Sequence, residues 1–97
     1  MKMTRGSDNI FADLGFSPDE AANLKVRSDL MTALTILIER RGLTQAQAAK
    51  LFGVSQPRVS DLTRGKIDKF SVDTLIAMLG SAGATVSIVV KNGRRVA

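Results

Sequence analysis

The sequence contains no cysteine and no histidine. The first absence excludes disulfides and thiol chemistry; the second removes the commonest metal ligand and the side chain best suited to proton transfer near neutral pH. Two carboxylates can still serve acid–base chemistry, but no Asp/Glu pair here falls in a recognisable motif. A glycine-rich phosphate loop, a metal-ligand cluster and a nucleophile–base arrangement are likewise missing. The expectation is a protein that is not an enzyme, with no catalytic residue, no metal and no cofactor. Long apolar runs are lacking too. The densest, residues 30–38, is interrupted by Thr32 and Thr35 and falls far short of the ~20 residues that cross a bilayer. Lys2 and Arg5 are not followed by an apolar stretch, so no signal peptide is expected. A soluble, cytoplasmic protein with no membrane association is the resulting expectation.

What is present suits one domain with a modest core: 97 residues, 44% of them apolar. The net charge of +5 is unevenly placed. Residues 1–39 hold four basic side chains against six acids, whereas residues 40–97 hold ten against three (Asp61, Asp68 and Asp73). A basic C-terminal half is what a polyanion-binding face requires, although many basic surfaces touch no nucleic acid.

Local signals divide the chain. Residues 1–8 are expected to be disordered. Residues 9–16 carry Ile10, Phe11, Leu14 and Phe16, enough apolar material to pack against something. Ser17-Pro18-Asp19-Glu20 starts a helix: a capping hydroxyl, a proline at the first helical position, and acids at the positive dipole end. Leu24, Leu30, Met31, Leu34, Leu37 and Ile38 then recur at three- and four-residue spacing, and Gly42 ends the helix after Arg40 and Arg41. The more polar first half of this long helix needs another surface to lie on. Thr44 and Gln47 form a second capping box before a helix over 45–52. Ser55 caps a third over 56–63, ended by Gly65. Residues 66–70 read as a linker, and Ser71 caps a fourth helix over 72–79, closed by Gly80 and Gly83. From Thr85 to Lys91 the period changes to two, with Val86, Ile88 and Val90 on one face of a β-strand. No second strand is visible to pair with it, so pairing of two copies across a two-fold axis is the simplest expectation, with a frayed tail as the alternative. Residues 92–97 read as a loose basic tail.

The stretch Leu43–Gly65 is the most informative. Two short helices joined by a tight Gly-Val-Ser turn make a helix-turn-helix, a unit whose second helix enters the DNA major groove. Ala49 is small where the helices approach, and Gly53 suits a turn with positive φ. Leu51, Val54, Val59 and Leu62 face inward, leaving Gln56, Pro57, Ser60 and Asp61 outward with Arg58 and Thr63 on the flanks. A helical bundle whose small residues reflect packing alone is the bland alternative.

Gln45, Ala49, Gly53, Gln56, Val59 and Leu62 stand at the spacing of the phage-repressor (XRE-type) helix-turn-helix family, which this segment resembles. The resemblance implies that Gln45 bonds a phosphate at its helix N-terminus. It makes Gln56 a base reader suited to adenine, and takes Arg58 to guanine or a phosphate. Ser60 becomes a weak reader, while Asp61 accepts from cytosine or orients Arg58. Thr63, Arg64, Lys66 and Lys69 would anchor the DNA backbone. Pro57 departs from the pattern, since the position is often polar; it touches a thymine methyl or only stiffens the helix start.

Further stretches, Asn9–Phe16, Glu20–Leu24, Arg27–Leu30, Arg64–Lys66 and Phe70–Asp73, are similar to the small XRE-type proteins related to HigA-like antitoxins. That resemblance implies a homodimeric repressor of its own promoter and, often, a RelE-like ribonuclease toxin as partner. The expected fold is mainly α: a compact helical bundle around a central helix-turn-helix, with one C-terminal strand pairing across a dimer. The expected organisation is an N-terminal segment (1–16), a DNA-binding domain (17–83), a dimerisation strand (84–91) and a basic tail (92–97). The expected function is a sequence-specific regulator binding an inverted repeat in double-stranded DNA. The alternative is an interaction module that mainly neutralises a toxin.

Overall fold

Helices in this protein begin where a short polar side chain can occupy the first free backbone N–H groups, and most end at a residue that breaks the ladder. The structure, a computed structural model, describes residues 9–91. The expectations for residues 1–8 and 92–97 lie outside that range. Five α-helices follow in order: α1 (Ile10–Asp13), α2 (Pro18–Arg41), α3 (Gln45–Phe52), α4 (Gln56–Thr63) and α5 (Val72–Ser81), with a 3₁₀ turn (Ile67–Lys69) between α4 and α5. Ser17, Thr44, Ser55 and Ser71 cap α2 to α5 through their hydroxyls. At α3 the capping box is complete: Thr44 Oγ1 accepts the Gln47 N–H at 3.1 Å and Gln47 Oε1 accepts the Thr44 N–H at 2.9 Å. Gly42 and Gly53 both adopt the left-handed conformation, φ 60° and 71°, which ends α2 and turns the chain from α3 into α4.

The core forms where these helices meet. Met31 and Leu34 of α2 pack with Ala48, Ala49 and Phe52 of α3, Val59 and Leu62 of α4, and Leu75, Met78 and Leu79 of α5. Leu30, Leu37 and Ile38 flank it half-buried, so the apolar stripe of α2 is used along its second half. The first half of α2 is covered differently. Asn9 caps α1 by accepting the Phe11 N–H at 2.9 Å, and its Nδ2 donates to the Ala21 carbonyl at 2.9 Å. The short α1 thereby hooks onto α2 and buries Ala21, with Phe11 and Phe16 meeting edge to face at 6.3 Å.

Four expectations need correction. First, residues 84–91 form no strand in the single chain: Ala84 and Val86 pack half-buried against the core, while Ile88, Val89 and Val90 are 74%, 79% and 86% exposed. A lone strand has no neighbour to accept its ladder hydrogen bonds, so periodicity alone cannot produce one. Second, the linker at residues 66–70 is more ordered than a plain connection. They hold the 3₁₀ turn and end in Phe70, which is buried in the core. Third, α5 runs through Gly80 to Ser81, and the chain turns at Gly83, φ 85°. Finally, the packing of residues 9–16 is incomplete, because Ile10 and Leu14 remain 60% and 68% exposed.

Because Leu34 is fully buried among three other helices, Leu34→Ala is expected to lower unfolding free energy by about 2–5 kcal/mol. Thermal or urea denaturation measures this directly.

Candidate nucleic-acid interface

The presentation of α4 follows from its buried side. Val59 and Leu62, three residues apart, are anchored in the core and fix the rotation of the helix about its axis. Its opposite side is therefore held outward. Gln56 and Pro57 occupy the first turn and are exposed, as are Thr63 and Arg64 at the far end. Ser60 and Asp61 are half-buried beside them. Ser55 Oγ accepts the Arg58 N–H at 3.3 Å, closing the N-terminus, and Pro57 has no N–H to leave unsatisfied there. The exposed Gln56 is thus carried on the first turn of a capped helix, at its positive dipole end.

Gln45 opens α3 and is exposed. Lys66 and Lys69 are exposed on either side of the 3₁₀ turn. Lys66 and Lys69 follow Arg58 and Arg64 along the chain, with Asp61 and Asp68 the acids among them. No group of acidic, cysteine or histidine side chains suited to a metal ion occurs among the described residues. No helix among them is long and apolar enough to cross a membrane.

Arg58 is engaged within the chain. Its Nη1 donates to the Lys69 carbonyl at 3.1 Å and lies 3.9 Å from Asp61 Oδ2, while the guanidinium stands 5.5 Å from the centre of the Phe70 ring. The residues expected to read bases and those expected to hold phosphate are thus joined, through Arg58, Asp61 and Lys69. The physical reason is the 3₁₀ turn: its short ladder leaves the Lys69 carbonyl without a helical donor, and Arg58 is within reach. Of the three expected dimer residues, Val86 is drawn to the core and only Ile88 and Val90 stay exposed.

Arg27, Asn9 and Phe70 were not singled out from the sequence as carrying a role of their own. Arg27 lies on α2, and its Nη1 donates to the carbonyls of Ile67 and Phe70 at 3.1 and 3.3 Å. A signal for it exists. Position 27 precedes Met31 and Leu34 by four and seven residues, so a guanidinium stands on the buried stripe of the helix. A cation on an apolar face needs a partner elsewhere in the fold.

The family profile of the helix-turn-helix domain matches residues 10–91. An uncharacterized HTH-type transcriptional regulator of Haemophilus influenzae is 31% identical over 81 residues, covering 84% of this chain and 82% of its own length. A solved structure provisionally described as an XRE family transcriptional regulator superposes with a TM-score of 0.72 at 34% identity. It covers 80% of this chain and 91% of its own.

The Ser55 cap is the fastening of the outward helix. Ser55→Ala is expected to cost about 1 kcal/mol, seen as a lower thermal midpoint with the far-ultraviolet helical signal retained below it.

Proposed function

The chain belongs to the helix-turn-helix domain family, and on that premise we propose that it is a cytoplasmic, sequence-specific DNA-binding regulator, a homodimeric repressor of an inverted-repeat operator with no catalytic role. The observation that carries this reading is the exposed face of α4, fixed by buried Val59 and Leu62 and opening on Gln56. Its similarity to transcriptional regulators over four-fifths of its length adds weight.

In the mechanism, α4 enters the major groove N-terminus first. Gln56 pairs its amide with adenine N6 and N7, and Pro57 meets a thymine methyl or stiffens the turn. Ser60 and Asp61 follow along the groove. Asp61 also lies near Arg58, and Arg58 holds the turn after α4, its bond to the Lys69 carbonyl keeping it at the edge of the groove near the phosphates. Gln45 at the start of α3, and Thr63, Arg64, Lys66 and Lys69, contact the phosphates and set the register.

Pairing of two copies is supported by the run Ile88-Val89-Val90, whose exposure leaves apolar surface in water beside backbone groups with no ladder partner. Antiparallel pairing of residues 85–91 from two chains satisfies both and sets two α4 helices for half-sites about 34 Å apart. A second reading, neutralisation of a RelE-like toxin with DNA binding secondary, draws on exposed Ile10, Leu14 and Phe16 at the acidic end of the chain. A reading frame for a small basic ribonuclease beside this one distinguishes it.

Selection from random duplexes with the purified protein is expected to yield a two-fold symmetric site, with affinity falling steeply as salt rises. On that site Gln56→Ala is expected to lose about 1–3 kcal/mol of discrimination at one base position per half-site; unchanged discrimination removes Gln56 as a reader. Truncation after Ser87, which keeps Ala84 and Val86 in place, is expected to convert the dimer to a monomer in sedimentation equilibrium. A truncated chain that still dimerises rules the strand out.

A further inference from the structure

We propose that Arg27 is a positioning residue for DNA binding: with Arg58 it clamps the connector between α4 and α5 by its carbonyls, and so holds Lys66 and Lys69 against the phosphate backbone. This inference rests on the reading of the chain as a DNA-binding regulator.

The connector makes little structure of its own. Within it, the Lys69 and Phe70 N–H groups donate to the Lys66 and Ile67 carbonyls at 3.0 and 3.2 Å. A turn this short does not persist alone. Two arginines from two different helices supply what is missing. From α2, Arg27 Nη1 donates to the Ile67 and Phe70 carbonyls; from α4, Arg58 Nη1 donates to the Lys69 carbonyl. The Phe70 side chain is buried in the core beneath them and also lies against Arg58.

Arg27 is itself held in place. Its Nε donates to Asn23 Oδ1 at 2.7 Å, one turn back on α2, which leaves the Nη1 end pointing at the connector. Its partners are all neutral oxygens, so its full positive charge stays beside the lysines. One nitrogen, Nη1, serves both carbonyls while Nε is held by Asn23, an anchoring that a lysine ammonium at the same place lacks. The effect on DNA binding is indirect. Lys66 and Lys69 are exposed, flexible side chains, and a fixed backbone under them lowers the ordering cost when each meets a phosphate. Arg27 thus couples the N-terminal half of α2, onto which α1 is hooked through Asn9 and Ala21, to the part of the protein nearest the DNA backbone.

The test is a double-mutant cycle on the duplex selected with the parent protein, measured across a salt series. Arg27→Met keeps most of the stem and removes the bonds; Lys66→Ala/Lys69→Ala removes the anchors; the triple variant combines them. Arg27→Met is expected to weaken binding about ten-fold and to flatten the salt slope by up to about two, one for each lysine displaced. Base preference at the Gln56 position stays as in the parent. In the triple variant the Arg27 substitution is expected to add little further loss. Additive losses overturn the proposal, because Arg27 then acts independently of the lysines. A lower thermal midpoint with unchanged affinity and slope also overturns it, leaving Arg27 a structural residue only. Should Arg27→Met not fold, Arg27→Lys carries the same cycle with a smaller expected loss. A parent that selects no duplex strikes the regulator reading itself, whereas a parent that binds with an additive cycle strikes the clamp alone.

Discussion

What α4 turns outward is aimed by the close junction of α3 with α4. Ala48 and Ala49 lie buried at that junction, and their small side chains let the helices approach, while Gly53 takes the left-handed conformation that turns one into the other. Phe52, Val59 and Leu62 fill the space beneath. A methyl added at Gly53 would stand 3.4 Å from Ser81 Oγ, whose hydroxyl already donates to the Leu51 carbonyl. The junction is thus tied to the end of α5 as well. Because interiors are packed at crystal-like density, α4 has little freedom to rotate, and the exposed position of Gln56 is settled by residues buried in the core.

The connector after α4 extends the same logic with hydrogen bonds in place of packing. A helix interior satisfies its own carbonyls, whereas the Lys69 and Phe70 carbonyls here are taken by Arg58 and Arg27, and Arg27 adds a second donor to the Ile67 carbonyl, which already accepts the Phe70 N–H. Arg27 and Arg58 are therefore spent on the chain's own backbone. The Nη1 hydrogen bonds of these two side chains go to the carbonyls of the connector.

Charge and apolar surface are distributed in opposite senses along the chain. The cations concentrate from Arg40 onward, around α4 and the connector, while acids outnumber them before that point. Exposed apolar side chains gather at the two ends of the described range, Ile10, Leu14 and Phe16 at one and Ile88 to Val90 at the other.

Much of the fold was legible before any coordinates, because its signals are local. A hydroxyl that caps, a glycine that accepts positive φ and apolar residues three and four apart act within one turn of helix, and they placed α2, α3 and α4 at their observed limits. The helix-turn-helix and its outward face were readable for the same reason. Asn9 as a cap and α5 continuing through Gly80 were missed although both are local, whereas the burial of Phe70 depends on the helices around it. The strand is absent from the single chain. Alternation at 85–91 describes which residues a strand would bury, but a strand exists only through hydrogen bonds to another segment, and the single chain supplies none. By itself, then, the sequence determined α2, α3 and α4 and the exposed first turn of α4. Only the tertiary structure decided that Arg27 and Arg58 grip the connector, because that contact joins residues 40 and 43 positions apart in one case and 11 in the other, and no local pattern records a meeting at such distances.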